Sequence, residues 1–243
     1  MSGGEVLVIR PNSGLSGDMV LAGFARMAGV SDRELGKVAE SLGLPSDCVA
    51  LVEKAVNAIG GWHARVTLPK EHHHRTLSDV RKIIAASALG KAAQSTAVRA
   101  FTILAAAEGR VHGIPPEKVT FHEVGALDSI LDTCLVAWLH EHMDKPKLVC
   151  GPLPLCDGTV RCAHGLLPTP APAVLDMLEG VPVHGLDSRG ETVTPTAISL
   201  LKAMEAAFGV WPAMTVRERA LVYGGRVLPG IANGAIFARG PSA

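Results

Sequence analysis

The chain has 243 residues, and 23 Lys plus Arg are balanced by 23 Asp plus Glu, for a pI near 7.1. That balance lacks the basic footprint of a nucleic-acid binder, and no run approaches the roughly 18 uninterrupted apolar residues of a membrane span. Hydrophobic residues reach 48% but aromatics only 4%, so a core sized for one large domain or two small ones must be built from Ala, Val, Leu and Ile.

The start, MSGGEVLVIRP, has neither the charged head nor the apolar centre of a signal peptide. Cys48, Cys134, Cys150, Cys156 and Cys162 are irregularly spaced and form no CxxC pair. A reduced, cytoplasmic setting with small buried thiols is the simplest account. Cys156 and Cys162 flank a turn-like DGT and are the pair with soft-ligand chemistry.

In chain order, Glu5–Arg10 is rich in Val, Leu and Ile and predicts a strand. A Gly/Ser turn follows, then a helix over Asp18–Gly29. Ser31, with Glu34 three residues on, is a capping-box start for a helix to about Leu42, ended by Gly43 and Pro45. Val49–Val56 and His63–Leu68 predict strands joined around Gly60-Gly61. Thr76 and Asp79 form another capping-box start, for a helix with Leu77, Val80, Ile83 and Ile84 on one face. An Ala-rich helix over Lys91–Glu108 and a helix within Glu123–Glu141 come next. Short strands near Val181, Val193, Val216–Val222 and Ala235–Ala238 interleave with helices near Ala173 and Ile198. The predicted class is α+β, a mixed sheet with packed helices.

Five segments carry candidate chemistry. In SGLSGDM, Gly14 and Gly17 permit close backbone approach, Ser13 and Ser16 add hydroxyls, and the following helix aims its first amides at the turn. That suits a phosphate, though an ordinary strand–helix turn has the same form. Asp18 caps the helix or binds a cation. In HHHRT, His72 and His74 share one side of an extended chain, and imidazole suits Ni²⁺. The competing reading is a solvated polar loop. In FHEVGALDSILD, Asp128 and Asp132 are four apart, on one helix face, with His122 and Glu123 just before it. Their apolar neighbours Leu127, Ile130 and Leu131 make two acids costly without a partner. In CAHGLLPTPAPA, three prolines stiffen an extended segment that holds His164, as ligand or as structural residue. In ETVTPT, Thr194 is an N-cap and Pro195 opens a helix; Thr194 and Thr196 also offer hydroxyls to a substrate.

These segments, with LPL, GTV, AHGLLPTPAPAVLDMLEGVPV and YGGRVLPGIANGAI, resemble in order and over almost the whole chain the LarC-type nickel-insertion family. The resemblance implies nickel insertion into pyridinium-3,5-bisthiocarboxylic acid mononucleotide, giving the nickel-pincer cofactor. It implies a nickel chelatase of the lyase class, dependent on CTP with Mg²⁺ or Mn²⁺. On that reading Asp18, Asp128 and His122 act in catalysis. Ser13, Gly14, Ser16, Gly17, Asp18, Thr194 and Thr196 bind the mononucleotide. His72, His74, His122, Glu123, Asp128, Asp132 and His164 supply the nickel ligands. Residues 1–240 resemble the family's N-terminal region, and the CTP site belongs to a C-terminal domain expected to be absent from this chain and supplied by another domain or partner; a homo-oligomer is left open. Two motifs depart from the family pattern: Arg10 and Pro11 stand where an acid and a cysteine are common, and TPTAIS replaces TPTGAA. A non-catalytic nickel or cofactor carrier and a structural subunit are the alternatives.

Overall fold

The Val/Leu/Ile run after Gly4 forms β1 (Glu5–Pro11), and both of its faces are covered. Leu7 and Ile9 join the main core, while Val6 and Val8 pack with Val149 and Met214 on the other side. A strand buried on both faces reads as a continuous apolar run, so its alternation in sequence is weak. The computed structural model describes residues 4–69, 74–121, 125–228 and 230–243.

After β1 come α1 (Gly17–Ala28), α2 (Asp32–Ser41), β2 (Val49–Val56), β3 (Ile59–Val66), β4 (Arg75–Thr76), α3 (Leu77–Ala86), α4 (Lys91–His112), β5 (Thr120–Phe121) and α5 (Leu127–His142). They are followed by β6 (Lys147–Cys150), β7 (Leu153–Asp157), β8 (Thr159–Cys162), β9 (Gly165–Pro168), α6 (Pro172–Met177), β10 (Val183–Arg189), α7 (Pro195–Ala203), β11 (Ala207–Phe208), β12 (Glu218–Val222) and β13 (Ala235–Pro241). Seven strands form one mixed sheet in the order β11-β6-β1-β13-β12-β3-β2. β1 runs parallel to β6 and antiparallel to β13. This is the α+β class expected.

Local signals explain most of the elements. Both capping boxes form: Ser31 with Glu34 opens α2, and Thr76 with Asp79 opens α3. In α4, Ala93, Ala97, Ala100, Leu104 and Ala107 are buried at helical spacing. Small residues on that stripe let α5 and α7 approach closely, which is how a core poor in aromatics fills its space. No described helix is long and apolar enough to cross a membrane.

Four expectations need correction. The β2–β3 turn lies at Asn57-Ala58, both with positive φ (51° and 62°), and not at Gly60-Gly61. Those glycines sit inside β3, where a Cβ on Gly61 would lie 2.6 Å from the Tyr223 ring and 2.7 Å from the Leu221 carbonyl oxygen. The glycine serves close approach by β12, the alternative meaning of glycine in a strand. The segment around His164 is a hairpin, β8–β9, and His164 lies in its turn. The strand expected near Val181 begins at Val183. Val193 makes only an isolated bridge, to Leu15, and that bridge positions the candidate site.

Candidate functional site

β1 hands the chain to α1 through Ser13–Ser16. Gly14 adopts φ 138°, and a Cβ on it would lie 2.2 Å from the Thr192 carbonyl oxygen. The Leu15 amide donates to Thr192 O at 2.8 Å, and the Thr194 amide donates to Leu15 O at 3.1 Å. The turn is thereby stitched to the start of α7, and two helix N-termini open side by side. The third wall is α5. A Cβ on Gly17 would lie 2.8 Å from Asp132 Oδ2 and 3.0 Å from Thr196 Cγ2. Gly14 and Gly17 are thus required by the approach of chain to chain.

Ser16, Gly17, Asp18, Asp128, Asp132, Thr194 and Thr196, all expected at the site, line one opening of about 410 Å³ together with His63. Asp18 accepts hydrogen bonds from Ser16 Oγ and from the Gly225 amide. His63 Nδ1 lies 3.5 Å from Asp18 Oδ2 and 3.0 Å from the Tyr223 carbonyl oxygen. A carbonyl can only accept, so Nδ1 carries the hydrogen and neutral His63 keeps its lone pair on Nε2, the atom a metal would use. Asp128 is exposed, and its Oδ1 accepts from the Ser129 amide at 2.7 Å.

Asp132 differs from the other two acids. It is buried, and its Oδ1 has no hydrogen-bond partner among the described residues. Burial, reinforced by the charges of Asp18 and Asp128, pushes its carboxyl well above the usual carboxylate range. A buried carboxylate is costly until a proton or a cation neutralises it.

The adjoining lobe, about 280 Å³, is lined by Ser13, Gly14, Ser16, Asp18 and Thr194 with the Gly224–Arg226 loop. Ser16 makes no side-chain cap on α1, so the first amides of that helix stay available to an anion. Arg226 is the one Lys or Arg among the described residues lining this lobe, and its guanidinium also donates to Arg189 O at 3.0 Å. Arg10, the cation nearest in sequence, turns away: it donates to Gly209 O at 3.1 Å and lies over the Trp211 ring.

Thr194 has a second role to separate from any ligand contact. Its Oγ1 accepts from the Ala197 amide at 3.3 Å and caps α7. Thr194→Ala should cost about 1 kcal/mol, lowering Tm by about 2–4 °C, and Thr194→Ser should restore it. Thermal unfolding of the two variants checks this; an unchanged Tm for Thr194→Ala would leave the cap without weight.

The remaining histidines are placed elsewhere. His74 is exposed beside β4, which pairs with β5 so that Arg75 faces Phe121. His164 packs against His112 with ring centroids 5.0 Å apart and the rings tilted by 46°. His72, His122 and Glu123 lie outside the described residues. Among the described residues, no three His, Cys, Asp or Glu side chains group to hold one ion. Cys48, Cys134, Cys150 and Cys156 are buried, and Cys162 is half-buried. Three contributors escaped the sequence: His63, Gly225 and Arg226. The last two lie in the YGGRV stretch, where a glycine pair before a basic residue is the only signal; His63 in mid-strand offers none.

The fold and cleft define an α+β domain with an anion-receptive strand–turn–helix next to clustered carboxylates. The chain belongs to the nickel insertion protein family, whose pattern matches residues 7–237. A protein of Desulfotalea psychrophila named as a nickel insertion protein is 41% identical over 214 residues, covering 87% of this chain and 54% of that protein. One from Myxococcus xanthus with the same name is 38% identical over 203 residues, 82% of this chain and 52% of that protein. A protein of Geobacillus kaustophilus named as pyridinium-3,5-bisthiocarboxylic acid mononucleotide nickel insertion protein is 34% identical over 239 residues, 93% of this chain and 57% of that protein. The chain spans about half the length of the curated relatives it matches. No solved structure matches it.

Proposed function

We propose that this chain is the substrate- and nickel-handling part of a chelatase that inserts Ni²⁺ into pyridinium-3,5-bisthiocarboxylic acid mononucleotide. The observation that carries the reading is the convergence of Asp18, Asp128, Asp132 and His63 beside the Ser13–Ser16 turn. The phosphate rests on the first amides of α1, with Arg226 and the incoming cation offsetting the charge of Asp18. Carboxylate and imidazole donors hold Ni²⁺ for transfer to sulfur, which soft-ligand preference favours. A protein set of few donors suits delivery better than storage, since release must compete with capture. His72, His74, His122, Glu123 and His164 remain the further ligand candidates on this reading.

CTP with Mg²⁺ or Mn²⁺ is the co-substrate the resemblance implies. The described cleft does not fit it. Among the described residues, Arg226 is the one Lys or Arg lining the turn and acid lobes, against the carboxylates of Asp18, Asp128, Asp132 and Glu191. A triphosphate is assigned to another domain or chain.

Calorimetric Ni²⁺ titration, with and without the thiocarboxylated mononucleotide, tests the reading. Binding is expected near neutral pH. Asp18→Asn and His63→Ala should each weaken it by about tenfold with an unchanged far-UV spectrum. No heat of Ni²⁺ binding in either mixture would sink the proposal. Binding without transfer to sulfur would mark a carrier.

A further inference from the structure

The loop that follows β12 is tied to the β2–β3 hairpin by both ends of Tyr223 and by a lysine. The Tyr223 amide donates to Trp62 O at 2.8 Å, and its hydroxyl donates to Ile59 O at 3.0 Å. Lys54, half-buried on β2, donates from Nζ to Gly224 O at 2.6 Å, with Gly225 O at 3.4 Å. Lys54 lines neither the turn lobe nor the acid lobe.

The Gly224–Gly225 peptide is trans, so its C=O and N–H point in opposite directions. Its oxygen is held by Lys54, and its N–H donates to Asp18 Oδ2 at 3.2 Å. One rigid plane therefore links an ammonium to a carboxylate. Any rotation that turned the amide away from Asp18 would also break the Lys54 contact. Accepting from a cation polarises the peptide and strengthens its N–H as a donor. Ser16 Oγ donates to Asp18 Oδ1, so both carboxylate oxygens are held in one orientation. Each keeps a second lone pair for a metal. Gly224 permits the close approach, since a Cβ on it would lie 3.2 Å from Met19 Sδ and 3.4 Å from Ser16 Oγ.

We propose that Lys54 is a positioning residue for the nickel-receiving lobe, acting through the Gly224–Gly225 peptide to aim Asp18 and touching neither nickel nor substrate. It rests on the nickel-handling reading given under Proposed function. Outer groups that orient a ligand typically change metal affinity by about 10–100-fold when removed. The sign of the effect separates this role from plain charge. A lysine ammonium repels a nearby cation, so as a bare charge its removal would tighten Ni²⁺ binding. As a positioning group its removal loosens it.

The test is Ni²⁺ calorimetry on the full chain. Lys54→Met should weaken binding by about tenfold. Lys54→Arg keeps the charge and the N–H donors and should stay within about threefold of the parent. In an Asp18→Ala background, Lys54→Met should change the affinity by less than about twofold, because the group it aims is gone. Amide exchange followed by NMR without metal supplies a second readout. Gly225 should exchange about tenfold faster in Lys54→Met, while the amides pairing β1 with β13 keep the parent rate, which excludes general loosening. Tighter or unchanged Ni²⁺ binding by Lys54→Met would overturn the proposal, as would an effect of the same size in the Asp18→Ala background. An unchanged Gly225 exchange rate would overturn it as well. No Ni²⁺ binding by the parent would sink the chelatase reading and the nickel role of Lys54 with it; the exchange rates distinguish that failure from a failure of the Lys54–Asp18 link.

Discussion

Asp132→Asn is expected to make the protein more stable and less able to hold nickel. The folded state keeps the Asp132 carboxyl in a buried place next to Asp18 and Asp128, which raises its pKa, while the unfolded chain has the ordinary value. Between the ordinary and the raised value, the unfolded chain has lost its proton and the folded one has not. Stability therefore falls as pH rises through that window and is fully present below it. The asparagine variant lacks this slope. Its advantage over the parent should be near zero at about pH 3.5 and should grow to a plateau on the order of 1–2 kcal/mol, or about 2–8 °C in Tm. Ni²⁺ affinity should drop by about tenfold or more. Thermal melts across pH, paired with calorimetry, read both. A variant less stable at neutral pH would mean that Asp132 holds the fold together.

Gly14→Ala should be among the most damaging single substitutions in the chain. Its φ of 138° is strained for any L side chain, and the added methyl would meet the Thr192 carbonyl oxygen at 2.2 Å. That oxygen accepts from the Leu15 amide, so it cannot withdraw without opening the link between the Ser13–Ser16 turn and α7. Strain and clash together should cost about 3–5 kcal/mol, or about 6–20 °C in Tm. Gly43→Ala is the control: φ is 78°, but nothing lies within 4 Å of its added methyl, so only the left-handed penalty of about 1–2 kcal/mol applies. Equal losses at the two positions would show that the stitch to Thr192 carries no weight.

Where a local signal existed, the sequence was legible. Ser31 with Glu34 and Thr76 with Asp79 opened helices as their capping chemistry requires. Asp128 and Asp132 were both suspect from their apolar helix neighbours; Asp132 proves buried, whereas Asp128 is exposed. Asp18, Asp128 and Asp132 were each singled out, but their meeting was not readable, because it depends on α1, α5 and α7 converging over long sequence separations. The Gly60-Gly61 turn failed because glycine in a strand has two meanings, and only the Tyr223 ring above β3 decides between them. His63 and Arg226 were invisible for the same reason: their roles come from partners distant in sequence, Asp18 and Tyr223 for one, the turn lobe for the other. Arg10 was the reverse case, near the turn in sequence and directed to Trp211 in space.

The central claim is that nickel is received in the acid lobe lined by Asp18, Asp132 and His63, without all three ligating it at once. Crystals of the chain grown with Ni²⁺ at neutral pH, measured at the nickel absorption edge, address it directly. The predicted result is an anomalous peak in the lobe bounded by these three side chains, lost in the Asp18→Asn variant. A peak confined to the His112–His164 pair or to surface histidines, with none in that lobe, would contradict it.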